Sequence, residues 1–221
     1  MSSHNDPISG DEIKKEFQLE RMILFSDAVF AIVITLMAIE IKIPESEGKL
    51  SNEKLAYALK HLSPVILSYI VSFFFIGSIW YQHLKIFSLV KDYDKGLVVR
   101  NLLLLFFVGL FPFSAAIITR SQGNSFGFFI YLGIILSCMI TQYLLQHYII
   151  ILRPALRINT NMKEHVFELK KRKILVIGFI IAFTLSALTI YFAKDPNLRS
   201  LASFWILPVV VIYKILIKRL R

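Results

Sequence analysis

Residues 21–41 read RMILFSDAVFAIVITLMAIEI, and this stretch decides how the rest of the chain is read. It is an almost unbroken apolar run of about twenty residues, long enough for a helix rising 1.5 Å per residue to cross a hydrocarbon layer of ~30 Å. Five more apolar blocks of similar length follow it. Of the 221 residues, 56% are hydrophobic and only 18% charged, with a mean hydropathy of +0.65, a balance foreign to soluble domains. The blocks are about twice the length of a barrel strand, and helices satisfy their own backbone hydrogen bonds in lipid. The fold expected is therefore an all-α membrane protein with six transmembrane helices at residues 22–43, 62–82, 97–119, 126–152, 174–193 and 201–217. In domain terms, residues 1–21 form an N-terminal segment, 22–217 the six-helix domain and 218–221 a short tail.

Charge and punctuation refine this plan. A formal charge of +10 could suggest nucleic acid, but the basic residues flank the apolar blocks and form no separate patch, so no nucleic-acid partner is expected. Counting Lys and Arg with the N-terminus inside leaves 18 on that side and 7 on the other. The positive-inside rule then puts both termini in the cytoplasm. The first block is longer than a signal-peptide core and lacks a small-residue cleavage site, so it is expected to persist in the mature protein. Pro44, Pro64, Pro154 and Pro196 fall near expected helix ends, whereas Pro112 and Pro208 fall inside and predict kinks. Residues 45–61 read as an extracytoplasmic loop leading into a surface extension of the second helix. Cys138, the lone cysteine, lies within an apolar block and reads as a packing residue.

Chemistry concentrates in the opening helix. Asp27 sits five residues into the apolar run, and a carboxylate at a membrane-helix centre costs roughly 2.5–3.5 kcal/mol on insertion scales. Arg21 precedes it by six residues, which turns the two side chains about 240° apart and disfavours a pair within the helix. Two readings remain for Asp27: it snorkels to the interface, or it is a polar lock to Trp80 and His83 at the end of the second helix or Asn101 near the start of the third. On a wheel with Ile32 at 0°, Ile39 falls at about −20°, Leu36 at about +40° and Thr35 at about −60°, with Asp27 about 140° away. Such a stripe is ordinarily helix or lipid packing, and periodicity alone does not make it a pore.

Residue identity adds more. Arg21 followed by Phe25, Ser26 and Asp27, then an apolar run containing Thr35 and Leu36, resembles the first helix of the transmembrane-protein-175 family of potassium channels. WYQH at Trp80 to His83 and NLLLLFFVGLFPF at Asn101 to Phe113 extend the resemblance. It implies a potassium-selective channel of homotetrameric architecture in which the first helix of each copy lines a central pore. Carried over by position, Ile32, Leu36 and Ile39 match the apolar constriction, with Thr35 as a polar layer beside it. Arg21, Phe25, Ser26 and Asp27 match the motif that braces this helix, with Trp80, His83 and Asn101 as its network. Arg21 falls on the stripe face of an ideal helix, so either the helix bends or Arg21 stands near the cytoplasmic mouth. Glu40, near the outer end, either raises the local cation concentration or is an interfacial acid. His83 is either a titrating group or a structural imidazole.

The resemblance further implies a passive conductor of potassium and other monovalent cations, with the lipid bilayer as solvent and a prokaryotic plasma membrane as location. No TVGYG filter and no arginine-repeat sensor occurs in the sequence, leaving a ring of branched apolar side chains to gate by dewetting. Two other classes are weighed against it. A secondary transporter coupled to an ion gradient would show paired repeats, and none is evident. An enzyme would need a nucleophile, metal or phosphate motif, and the five histidines form none; neither cofactor nor metal beyond permeating potassium is expected.

Overall fold

A computed structural model of the protein describes residues 10–39, 41–42, 51–120, 125–158, 162–193 and 201–220. The described helices are α1 (Gly10–Ile39), α2 (Asn52–Phe87), α3 (Lys95–Gly109), α4 (Phe111–Arg120), α5 (Ser125–His147), α6 (Met162–Phe192) and α7 (Ile206–Leu220). Five helical stretches are long and apolar enough to cross a membrane, with α3 and α4 counting together as one. The sixth is α7, whose fifteen residues follow a five-residue 3-10 lead-in, Leu201–Trp205. Together these two pieces span about 32 Å, enough for one crossing.

Local chemistry explains the boundaries. Ser51 caps α2 by accepting a hydrogen bond from the Lys54 amide, and Glu53 lies in the first turn, where the helix dipole favours an acid. Asp94 caps α3 in the same way, accepting from the Leu97 amide at 2.8 Å. The third span breaks at Leu110 because Pro112 has no amide to offer Val108 and its ring crowds that carbonyl. After α5 the chain makes a π-helical turn, Tyr148–Leu152, and a 3-10 turn beginning at Pro154.

Helices and spans differ in length. α1 begins at Gly10, and at 30 residues it is about 45 Å long, so its polar first turns extend beyond a ~30 Å core. It ends at Ile39, four residues short of the expected end, where the Ile41 amide turns back to the Ala38 carbonyl at 3.1 Å. α2 and α6 likewise begin ten or more residues before their apolar blocks. Pro64 is consequently inside α2 rather than at its start. The Lys60 carbonyl that it leaves without an amide accepts the Ser63 hydroxyl at 2.7 Å. Pro208 falls in the first turn of α7, directly after the change from 3-10 to α geometry.

Packing centres on α5, which touches α2, α3, α4 and α6, while α1 packs on α2, α3 and α4. The core between them holds Phe30, Ile76, Leu97, Leu104, Phe111 and Leu145, all essentially excluded from solvent. Phe111, at the break, stacks on Phe75 with ring centroids 5.3 Å apart and meets Tyr131 edge-on at 5.7 Å. At the end of the bundle where α2 stops, a single β-bridge joins Val90 to Arg157, fixing the α2–α3 loop against the segment after α5. α7 packs principally on α6 and on its own lead-in.

Candidate functional site

Two opposite faces of α1 carry the site. One is buried against α2 and α3 through Leu19, Ser26, Phe30, Val33 and Met37, spaced by three, four or seven residues. The other has no cover among the described residues. Ile32, Leu36 and Ile39 are 56%, 45% and 60% exposed, and Phe17, Arg21, Leu24, Phe25, Ala28 and Thr35 continue the same face. Because α1 is unbroken from Gly10 to Ile39, no bend moves Arg21 off that side. Its guanidinium lies 5.9 Å from the centroid of the Phe17 ring. Thr35 spends its hydroxyl on its own helix, bonding the Ala31 and Ile32 carbonyls at 3.0 and 2.9 Å. Glu40 lies outside the described residues.

Behind the uncovered face runs a polar brace. Trp80 donates its indole N–H to Asp27 Oδ1 at 2.9 Å, so the acid finds its partner on α2. His83 and Asn101 pair with each other and with Ser26, not with Asp27. Asn101 Nδ2 donates to Ser26 Oγ at 2.8 Å, and Ser26 donates to the Met22 carbonyl at 2.8 Å. Asn101 Oδ1 can only accept, so the 2.9 Å contact to His83 Nε2 requires that nitrogen to carry the proton. A one-way relay therefore runs His83 to Asn101 to Ser26 to Met22, joining α2, α3 and α1. All three side chains are buried, and the His83 ring lies between Phe30 and Phe87 at 5.5 and 4.3 Å. His83 Nδ1 is buried and has no hydrogen-bond partner among the described residues. Beside the relay, a cleft of about 370 Å³ opens between α1 and α3, bordered by Arg21, Phe25 and Asn101.

A second polar tie escaped the sequence reading. Arg172 of α6 reaches Gln82 Oε1 at 2.6 Å, and Gln142 of α5 donates to the Ile79 carbonyl at 2.8 Å. The signal was present as two glutamines in or beside apolar blocks and an arginine two positions before the fifth block.

A carboxylate satisfied on a neighbouring helix, with an unpaired apolar stripe on the other side, is an arrangement that holds a helix wall in place. Similarity to known proteins identifies the family. A sequence model of the family described as "Endosomal/lysosomal potassium channel TMEM175" matches residues 21–112, which include the whole brace. A potassium channel of Chryseobacterium sp. strain P1-3 is 30% identical over 189 residues, covering 85% of this chain and 92% of the relative. The chain belongs to the TMEM175 family. A potassium channel of Streptomyces collinus is 40% identical over 100 residues, covering 45% of this chain and 47% of the relative, so the match spans about half of that protein. Among solved structures, the crystal structure of the TMEM175 homologue of Chamaesiphon minutus, titled a lysosomal potassium-selective channel homologue, superposes with a TM-score of 0.66. It is 28% identical, over 87% of this chain and 98% of that one. TMEM175 proteins are ion channels rather than enzymes, in keeping with the expectation for this sequence.

Proposed function

We propose that four copies of this chain form a potassium-conducting pore whose wall is α1. The reading rests above all on the uncovered face of that helix: Ile32, Leu36 and Ile39 are each at least 45% exposed although the helix is anchored on its opposite side by Asp27, Ser26 and Phe30. Each chain contributes one α1, so a closed ring walled by it needs several copies, and cyclic symmetry supplies it. Ile32, Leu36 and Ile39 form the constriction. Four branched side chains at one level hold a narrow pore dry when it is closed, and on dilation they admit an ion that has shed part of its water. Thr35, with its hydroxyl already bonded to the backbone, adds a weakly polar layer. Glu40 at the outer end concentrates cations, and Arg21 stands toward the cytoplasmic mouth beside the cleft.

Conduction is passive and needs no cofactor; potassium is the permeant. The excess of basic residues at the end where α1 begins and α7 ends favours the cytoplasm for that end, and similarity to bacterial potassium channels favours a prokaryotic plasma membrane. The deciding experiment uses purified protein in potassium-loaded liposomes, with reversal potentials measured under potassium/sodium gradients. Wild type should hold a potassium-dominated potential. Ile32→Asn and Leu36→Asn, which keep the brace intact, should shift it toward zero or change the conductance several-fold. Unaltered currents from both variants would remove this face from the permeation path.

A further inference from the structure

One cleft on the molecule lies far from α1. Ile174, Ile177 and Ile181 of α6 and Val209, Ile212 and Leu216 of α7 line an apolar groove of about 320 Å³, in which Tyr213 contributes the one polar side chain. Gly178 forms its floor: a Cβ there would lie 2.7 Å from Val209 Cγ1, so the absence of a side chain brings the two helices together. The isoleucines at 177, 181 and 212 remain about half exposed, and α7 has little cover besides α6.

The two lining stripes run into cations at the same end of the bundle. Extending the α6 stripe back by one turn from Ile174 reaches Lys170, and extending the α7 stripe by three residues from Leu216 reaches Arg219. Both are exposed, and neither makes an ion pair among the described residues. Lys173, Lys214 and Lys218 lie in the same basic segments of sequence, while Glu168 is engaged by Lys171 and Arg172 turns inward to Gln82. A chain-length apolar slot closed at one end by unneutralised cations has the shape and charge of a phospholipid site. A second copy is a poor occupant, because it would bring the same cations to the same depth.

We propose that the cleft between α6 and α7 holds one anionic phospholipid, with an acyl chain among the isoleucines and its phosphate between Lys170 and Arg219. The lipid covers α7 from the leaflet at the basic end and ties it to α6.

Detergent-purified full-length protein, equilibrated with equal amounts of phosphatidylglycerol and phosphatidylcholine, provides the test, with retained lipid counted by native mass spectrometry. Phosphatidylglycerol should be retained at one per chain, with a preference of roughly thirtyfold if each of two cations contributes fully. Lys170→Gln with Arg219→Gln should abolish the preference without changing assembly, and Ile177→Trp should lower retention of both lipids by filling the slot. Lys85→Gln with Lys91→Gln, cations at the same end but on the α2 side, should leave it intact. Equal retention of the two lipids by wild type overturns the proposal, as does an undiminished phosphatidylglycerol preference in the Lys170/Arg219 variant. So does an Ile177→Trp protein that changes oligomeric state while keeping its lipid, since the cleft would then be a contact between copies. Lipid counting requires no ion flux, so its failure is distinct from failure of the pore reading.

Discussion

Asn101 is the residue on which the brace turns, because its amide is the only group able to receive from His83 and give to Ser26 at once. Asn101→Leu removes both bonds and strands the His83 Nε2–H in an apolar interior, where an unmet donor costs about 1–3 kcal/mol. The melting temperature of the detergent-solubilised protein should fall accordingly, and a melt unchanged from wild type would deny the relay any weight. Asp94 offers a prediction in pH. Burial raises its pKa, but the Tyr148 hydroxyl, the Leu97 amide, Arg153 and the Gly96 amide together outweigh that and hold it below its ordinary 3.8. A carboxyl with a depressed folded pKa lends stability that is fully present above the unfolded value and is lost as pH falls through the folded one. Acidification below about pH 4 should therefore destabilise wild type more than Asp94→Asn, read as the difference between their melting temperatures across that window.

At the scale of elements, the six spans were legible because ~20-residue apolar runs leave a chain little choice in lipid. Helix ends were less legible. α1, α2 and α6 continue into polar sequence where no lipid sets the limit, as in residues 10–21, 52–61 and 162–173, and hydropathy is blind to that continuation. Proline showed the same division. Pro112 breaks its span, as its position inside the block predicts, whereas Pro64 looked terminal only because the polar turn before it is also helical. For the brace, the need for a partner to Asp27 was readable from the cost of the charge. Which of Trp80, His83 and Asn101 supplies it was not, since that depends on how two neighbouring helices are rotated. Gly96 is a position where element packing leaves no slack. A Cβ there would lie 2.6 Å from Tyr148 Cζ, in a ring already fixed by Asp94 and by Arg100 stacked 3.9 Å above it. Gly96→Ala should thus destabilise the protein by about 1–3 kcal/mol despite the better helix propensity of alanine. A melt equal to or above that of wild type would show that α5 yields easily at its π turn.

For the whole molecule, the decisive quantity is the width of the uncovered face of α1. With Ile32 at 0°, its exposed residues run from Ala38 at about −120° through Thr35 and Ile39 to Leu36 at about +40°, an arc of roughly 160°. In the proposed square ring the two neighbours of any one helix would lie about 90° apart, so an inward face alone would not use the full arc, and the remainder would serve as the footprint of adjoining copies. One flank of the arc carries Ala31 and Ala38, small side chains of the kind that let membrane helices approach closely. The bulky Ile32, Leu36 and Ile39 occupy the other part. In the proposed tetramer the alanines would pack one copy against the next and the branched residues would be left to the axis. Ala31→Phe should therefore reduce the tetramer fraction, measured by light scattering in detergent, while leaving each chain folded, since Ala31 is exposed on its own subunit. Leu36→Asn should leave the tetramer assembled and change only what passes through it. If instead Ala31→Phe assembles normally and Leu36→Asn yields monomers, the two flanks have exchanged roles, and the bulky residues form the contact between copies.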